Sequence, residues 1–470
     1  MLKTFRDPAG QLELRVDGAY RVVRSPHDLE ILAFLDSPLA QRLVAEGKLI
    51  GSTVVEAPTP EHPLQLHHPR VAFVSYCWEW SPSMWLAAAN LTLSICADLL
   101  AEGWILKDAT PSNILFVGTR PVLVDVLSVA PVDPAVPLWF ASGQFIRTFL
   151  LPLLASEKLG WPLQASITRR DGYEPEEIGR CLPFRARWSQ PARSAVTLPL
   201  LVAGRSKGGA TSTPKSPRVD AEAGRYILGK TIANLEKQME RLTPKQHAST
   251  WSNYTETATH YTTDEQAGKQ AFVSRVLTAV RPARVLDIGC NTGTFSEIAA
   301  ASGAEVVAVD TDQQAVDRLF LRVSKGQNAK GQNAKGSHAA SILPLHIDLS
   351  RPTPATGWEN QETASFLARC EGHFDFVLML AVIHHLLLQS QIPLEHIAAL
   401  AARITTSDLI IEWVPPTDEK FREVLRGRDA IYQHLTEDNF RAAFAVHFDV
   451  VEQLTLTNAR ILFHMRRRVV

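Results

Sequence analysis

The run Val285-Leu-Asp-Ile-Gly-Cys-Asn-Thr-Gly-Thr-Phe-Ser296 limits what this chain can fold into more than any other stretch. Arg284 to Ile288 is short and mostly apolar, the pattern of a buried strand. A turn punctuated by Gly289 and Gly293 follows, and a helix opens near Gly293. Glycines there let backbone approach a ligand closely, and the helix start behind them offers unpaired N–H groups to a polar or negative group. The spacing Gly289-x-x-x-Gly293 is not the G-x-G-x-x-G of dinucleotide sites. Asp287 is placed to orient the turn or to meet a ligand ammonium, while Cys290 and Asn291 lie within the turn.

From Arg284 onward short apolar runs alternate with helical stretches, which predicts an α/β, doubly wound, Rossmann-like parallel sheet. Such sheets bind ligands at the carboxyl ends of their strands. The second strand, Ala304–Val309, ends in Asp310-Thr-Asp312, where a carboxylate can accept hydrogen bonds from ribose hydroxyls. Asp310 is the first choice, with Asp312 as helix cap and fallback. The third strand, Ile342–Ile347, precedes Asp348, and the fourth, Phe374–Leu380, leads to His384-His385. The fifth, Asp408–Ile411, leads to Glu412-Trp413-Val-Pro-Pro416. Runs at Val446–Leu456 and Arg460–Met465 suit a closing antiparallel pair.

Taken together, "VLDIGCNTG", Asp310, Asp348 and "IEWVPP" resemble class I S-adenosylmethionine-dependent methyltransferases over roughly residues 250–468. The resemblance implies S-adenosylmethionine as cofactor, held by Asp287, Gly289, Cys290, Asn291, Gly293, Asp310, Asp312, Asp348 and Leu380, with Asp348 at the adenine amine. An oxygen nucleophile needs a proton removed, and His384 or His385 is the candidate base. His384 is preferred, because neighbours on a helix point about 100° apart and both cannot face one methyl group. Glu412 could hold a substrate or a lid, or pair with a nearby arginine. No Asn/Asp-Pro-Pro-Tyr follows the fourth strand. That disfavours DNA bases and glutamine side chains, and favours an oxygen or carbon nucleophile on a small molecule, sugar or lipid-linked substrate. Trp251, Tyr254 and Tyr261 are candidates for a lid, or for packing anchors.

The front half is organised around Leu106-Lys-Asp-Ala-Thr-Pro-Ser-Asn-Ile-Leu-Phe116 and Pro121-Val-Leu-Val-Asp-Val126. These stretches resemble the catalytic loop and metal strand of protein-kinase-like phosphotransferases, with Asp108, Asn113 and Asp125 in the matching positions. Lys107 stands where His-Arg is usual, and Leu127 replaces the glycine after the metal-binding aspartate. Neither a Gly-rich loop nor a Val-Ala-Ile-Lys-like lysine precedes them. With "LKDATPSN" and "GCNTGTFS" in one chain, the layout resembles a bacterial family of long methyltransferases that includes nodulation-associated, NoeA-like members.

Around these stretches the pattern predicts a tight hairpin at Asp17-Gly18, a helix over 27–49 and an irregular stretch Pro58–Pro69, with His67 and His68 in a loop. A strand over Val71–Tyr76 follows, then a helix from Ser83 (N-cap) to Glu102 ended by Gly103, and a helix over 141–158 kinked at Pro152. Ala203–Gly224 has almost nothing to bury and reads as a flexible linker. The expected domains are therefore an α+β domain over 1–202 that resembles a degenerate kinase-like one, the linker 203–224 and a methyltransferase domain over 225–470 beginning with a Tyr226–Leu242 helix. The tandem GQNAK repeat, Lys325–Gly336, reads as a solvated loop.

Apolar content of 46%, charged content of 21% and net charge −1 describe an ordinary globular protein with no strong nucleic-acid signal. The five cysteines (77, 96, 181, 290, 370) are widely spaced, which points away from zinc and disulfides and toward a reducing, cytoplasmic setting. No bilayer-spanning segment and no metal site are expected, and oligomeric state is left open. Two other functions share these motifs. One is a bifunctional protein whose front half transfers phosphate. The other is a non-catalytic S-adenosylmethionine-binding scaffold.

Overall fold

The computed structural model describes residues 6–59, 61–205, 218–245, 263–330, 341–425 and 427–468. Two compact units emerge, one of residues 1–117 and 121–245, the other of residues 118–120 and 246–470.

In the first unit, β1 (Gly10–Leu14), β2 (Ala19–Val23), β3 (Thr53–Glu56) and β4 (Leu64–His68) form an antiparallel sheet in the order β1-β2-β4-β3. The β1–β2 connection is the four-residue loop Arg15–Gly18, since Leu14 pairs with Ala19. Residues 64–68, read as irregular, are a strand because Leu64, Leu66 and His68 alternate inward against that sheet. Val71–Tyr76, read as a strand, pairs with no strand among the described residues and forms bends that lead into a short 3-10 turn. The 27–49 helix is two helices, His27–Leu35 and Pro38–Ala45, because Ser37 caps the second and Pro38 cannot continue the first.

The core helix of this unit is Pro82–Ala101, whose N-cap is Ser81, not Ser83, with Pro82 in the first turn. It is long and apolar enough to cross a membrane, yet 61% of that apolar window is buried within the protein, so it serves as a core helix. Then come β5 (Trp104–Leu106), β6 (Ile114–Val117), β7 (Arg120–Leu123) and β8 (Val129–Pro131), with β5 paired to β8 and β6 to β7. A wide turn at Ile146–Leu150 absorbs Pro152 where a kink is expected. Both ends of the expected linker carry structure, and residues 206–217 lie outside the described ones. Leu198–Arg205 is helical, and residues 218–224 dock on the first unit through Arg218–Asp133 (2.6 Å) and Val219 N–H to Ala135 O (3.0 Å). Asp220 then caps the Ala221–Glu240 helix, which packs on Pro82–Ala101.

The second unit is built on β9 (Arg284–Ile288), β10 (Glu305–Asp310), β11 (Ile342–His346), β12 (Phe374–Met379), β13 (Thr405–Trp413), β14 (Phe448–Thr455) and β15 (Ile461–Arg467). Their order is β11-β10-β9-β12-β13-β15-β14, with β9 to β13 parallel and β15 antiparallel to both its neighbours. The sheet is the expected doubly wound one, and its order reverses between β9 and β12, where such sheets open a ligand crevice. Val285, Val306, Ala308, Phe376, Leu378 and Ile410 pack beneath the Thr263–Val280 and Thr294–Ala301 helices. Lys325–Lys330 of the GQNAK repeat belongs to the Gln313–Lys330 helix, not to a loop, and the rest of the repeat lies outside the described residues. Trp251, Tyr254 and Tyr261 also lie outside them.

Candidate active site

The glycine turn is held by its own backbone. The N–H groups of Gly289 and Cys290 both donate to Val309 O (2.8 and 3.1 Å), so the turn is laid across the end of β10. Gly289 (φ +72°), Asn291 (φ +49°) and Gly293 (φ +90°) are left-handed, a sequence of dihedrals that glycine makes inexpensive. Two of these positions also lack room for a side chain. A Cβ on Gly289 would lie 2.2 Å from Val382 Cγ2, and one on Gly293 would lie 2.3 Å from Leu319 Cδ1. Val382 follows Ala381, itself left-handed at φ +55°, so a strained end of β12 closes directly onto the turn.

The acidic candidates separate by their partners. Asp287 is buried and accepts from Ser296 Oγ (2.5 Å), tying β9 to the following helix. Burial, with the Asp310 carboxylate nearby, lifts its carboxyl to about 6. Asp310 accepts from Asn291 N–H and Asp312 N–H (both 2.8 Å), bracing the turn, and burial raises its carboxyl as well. Asp312 caps the next helix through Gln314 N–H (2.9 Å). Ile347 N–H donates to Asp310 O (2.9 Å), which draws the end of β11 toward the turn, and Asp348 then accepts from Ser350 N–H and Oγ (2.8 and 2.6 Å). Cys290 and Leu380 are core residues by their side chains. Burial beside Asp310 and Asp287 holds the Cys290 thiol well above its ordinary range, so it is inert there.

Across the crevice, His384 and His385 open the Ile383–Leu388 helix, their ring centroids 4.1 Å apart. His384 is 3% exposed, and its Nδ1 has no hydrogen-bond partner among the described residues. Burial first, then His385 and the Arg460 and Lys269 cations, hold this imidazole neutral, well below its ordinary pKa, against the opposing pull of Glu412. His385 is also depressed by burial, but its side chain is hydrogen-bonded to Gln389. Glu412 is in β13 rather than after it, and it is completely buried. It meets Arg460 (3.4 Å), as sequence reasoning allowed, and Lys269 (2.5 Å), which that reasoning missed. Arg460 also grips Asp418 through Nε and a terminal nitrogen (2.8 and 3.0 Å). The signal for Lys269 was a charge in line with Phe272, Val273 and Val276 on the apolar face of its helix.

In the first unit, Asn113 Nδ2 donates to Ser128 Oγ (2.8 Å), which donates to Asp125 Oδ2 (2.7 Å). Asp125 Oδ1 lies 2.8 Å from an Arg21 guanidinium nitrogen, while Asp108 is held separately by Gln144 (2.9 Å). Arg21 was overlooked, although a charge at an inward-facing position of an alternating strand marks it. Among the described residues, no group of three or more His, Cys, Asp or Glu side chains is arranged to hold a metal ion.

A methyltransferase-domain family model matches residues 261–445. Nodulation protein NoeA of Rhizobium meliloti (strain 1021) is 31% identical over 472 aligned residues, covering 96% of this chain and 92% of that protein. The chain belongs to the NoeA-like family and carries a methyltransferase domain. Among solved structures, this NoeA-like chain has a likeness to N-methyltransferase NodS of Bradyrhizobium japonicum WM9, with 14% identity, TM-score 0.30, 44% of this chain and 98% of that one. The bifunctional kinase-methyltransferase WbdD has 17% identity, TM-score 0.31, and coverage of 46% of this chain and 42% of that one.

Proposed function

We propose that the second unit transfers a methyl group from S-adenosylmethionine to a hydroxyl oxygen of a small-molecule, sugar or lipid-linked acceptor, with His384 as the proton acceptor. S-adenosylmethionine is the cofactor of this domain, and when bound it supplies an electrophilic methyl group on a sulfonium. The residues present fit it. Asp310 braces the glycine turn and keeps lone pairs for ribose hydroxyls, Asp348 suits an exocyclic amine, and Asp287 offers a carboxylate beside the turn.

The observation that carries the acceptor reading is His384 Nδ1, which is buried, without a partner among the described residues and part of an imidazole held neutral. A neutral ring can take the hydroxyl proton as the oxygen–methyl bond forms, with the Glu412 carboxylate acting in favour of the imidazolium against burial, His385 and the Arg460 and Lys269 cations. Arg460 is already paired to Asp418 and Glu412, which favours an uncharged acceptor. In the first unit, Arg21 already supplies positive charge to Asp125, which argues against magnesium there and for substrate recognition or regulation over phosphate transfer.

Calorimetric titration of S-adenosylhomocysteine into the full chain and Asp310→Ala, with labelled-methyl transfer to a panel of hydroxylated acceptors, tests the reading. Binding should be lost in the variant. No binding to the wild type would refute the donor assignment, and exclusive labelling of amines would refute the hydroxyl acceptor.

A further inference from the structure

We propose that Lys269 is the residue that takes the α-carboxylate of the methyl donor, and that Glu412 holds its ammonium in place until the donor arrives. The inference rests on the S-adenosylmethionine reading of the glycine turn.

Lys269 and Arg460 are the buried cations among the described residues of the second unit. Arg460 is committed, because it grips Asp418 in a fork and also faces Glu412. Lys269 lies against the glycine turn. Its ammonium is 5.2 Å from the centroid of the Phe295 ring, in the first turn of the helix behind Gly293. It is also close enough to Asp287, two residues before Gly289, to act on that carboxyl electrostatically. An incoming amino-acid carboxylate at this turn thus meets one buried ammonium, beside the Phe295 ring, while the N–H groups of residues 289–293 stay bonded within the protein.

The charge arithmetic suits an exchange. Glu412 serves two cations, through Oε2 to Lys269 and through Oε1 to Arg460. If Lys269 turns to a ligand carboxylate, it trades one carboxylate for another, and Glu412 keeps Arg460. Neither charge is stranded in the interior, which would otherwise be the main cost of moving a buried lysine. A purely structural role explains this chain of charges less well, since buried ion pairs commonly stabilise no more than apolar residues of similar volume.

The test compares S-adenosylhomocysteine with S-adenosyl-3-thiopropylamine, which keeps the amine and lacks only the carboxylate, by calorimetry on the full chain. Lys269→Met alone would remove one of the two cations that Glu412 serves, so the paired variant Lys269→Met/Glu412→Gln, which removes both charges together, is used alongside Lys269→Arg. The paired variant should lose about 10–100-fold in affinity for S-adenosylhomocysteine, the worth of one charge-assisted hydrogen bond, and less than about 3-fold for the amine. Lys269→Arg should keep most of the preference for the carboxylate ligand. Equal losses for both ligands, or unchanged affinity for S-adenosylhomocysteine in the folded paired variant, would overturn the proposal. Failure of the wild type to bind either ligand would instead refute the donor reading itself, and the proposal with it.

Discussion

Replacing Asp287 by Asn should stabilise the second unit at neutral pH while weakening donor binding. The carboxyl is 2% exposed, and burial lifts it from an ordinary 3.8 to about 6. That rise corresponds to about 3 kcal/mol of penalty once the group is ionised in the folded protein. The sign is set by which state holds the proton. Below pH 4 both folded and unfolded chains are protonated and there is no penalty. Between about pH 4 and 6 the unfolded chain ionises first, so stability falls as pH rises, and above the folded value the loss is complete. Asn keeps an oxygen to accept from Ser296 Oγ but buries an extra N–H donor and removes a negative neighbour of Lys269. The net gain should therefore be about 1–2 kcal/mol at pH 8, or a rise of about 2–8 °C in Tm. Thermal melts of both proteins from pH 4.5 to 8, following the transition that S-adenosylhomocysteine raises, would measure it. A lower Tm at pH 8, or an unchanged difference across the pH range, would refute the assignment of a strained, ionised Asp287.

Three further perturbations read other parts of the structure. Gly293→Ala forces a side chain into φ +90° and against Leu319, and should cost about 2–4 kcal/mol in the same melting transition. His384→Gln keeps a polar side chain but no base, so once an acceptor is found kcat should fall about 10²–10⁴-fold. Calorimetric affinity for S-adenosylhomocysteine should stay within about 3-fold, and a variant with full kcat would remove His384 from the chemistry. In the first unit, Asp125→Asn leaves the 8%-exposed Arg21 guanidinium facing an uncharged amide and should destabilise by about 2–3 kcal/mol. That loss should appear in the melting transition that S-adenosylhomocysteine does not shift.

What the sequence made legible was whatever repeats with a period or demands a particular dihedral. β9 to β13 show themselves as apolar runs, and the glycine turn is readable because only glycine fits both the left-handed backbone and the closeness of Val382 and Leu319. The errors fall where pairing partners, not local pattern, decide. Val71–Tyr76 has strand composition and joins no strand among the described residues, whereas Leu64–His68, set between Pro63 and Pro69 and ending in two histidines, lies against β2 with Arg21 opposite Leu66. The same limit hid Lys269 and Arg21. Each stands on the inward face of its element, where a charge contradicts the local pattern, and its carboxylate partner is far away in the chain: Glu412 for one, Asp125 for the other. Periodicity reports that such a residue is out of place but cannot report what pays for it. Misplaced charges on otherwise consistent elements are therefore where a sequence of this kind should be searched for function, because a buried charge persists only where something compensates it.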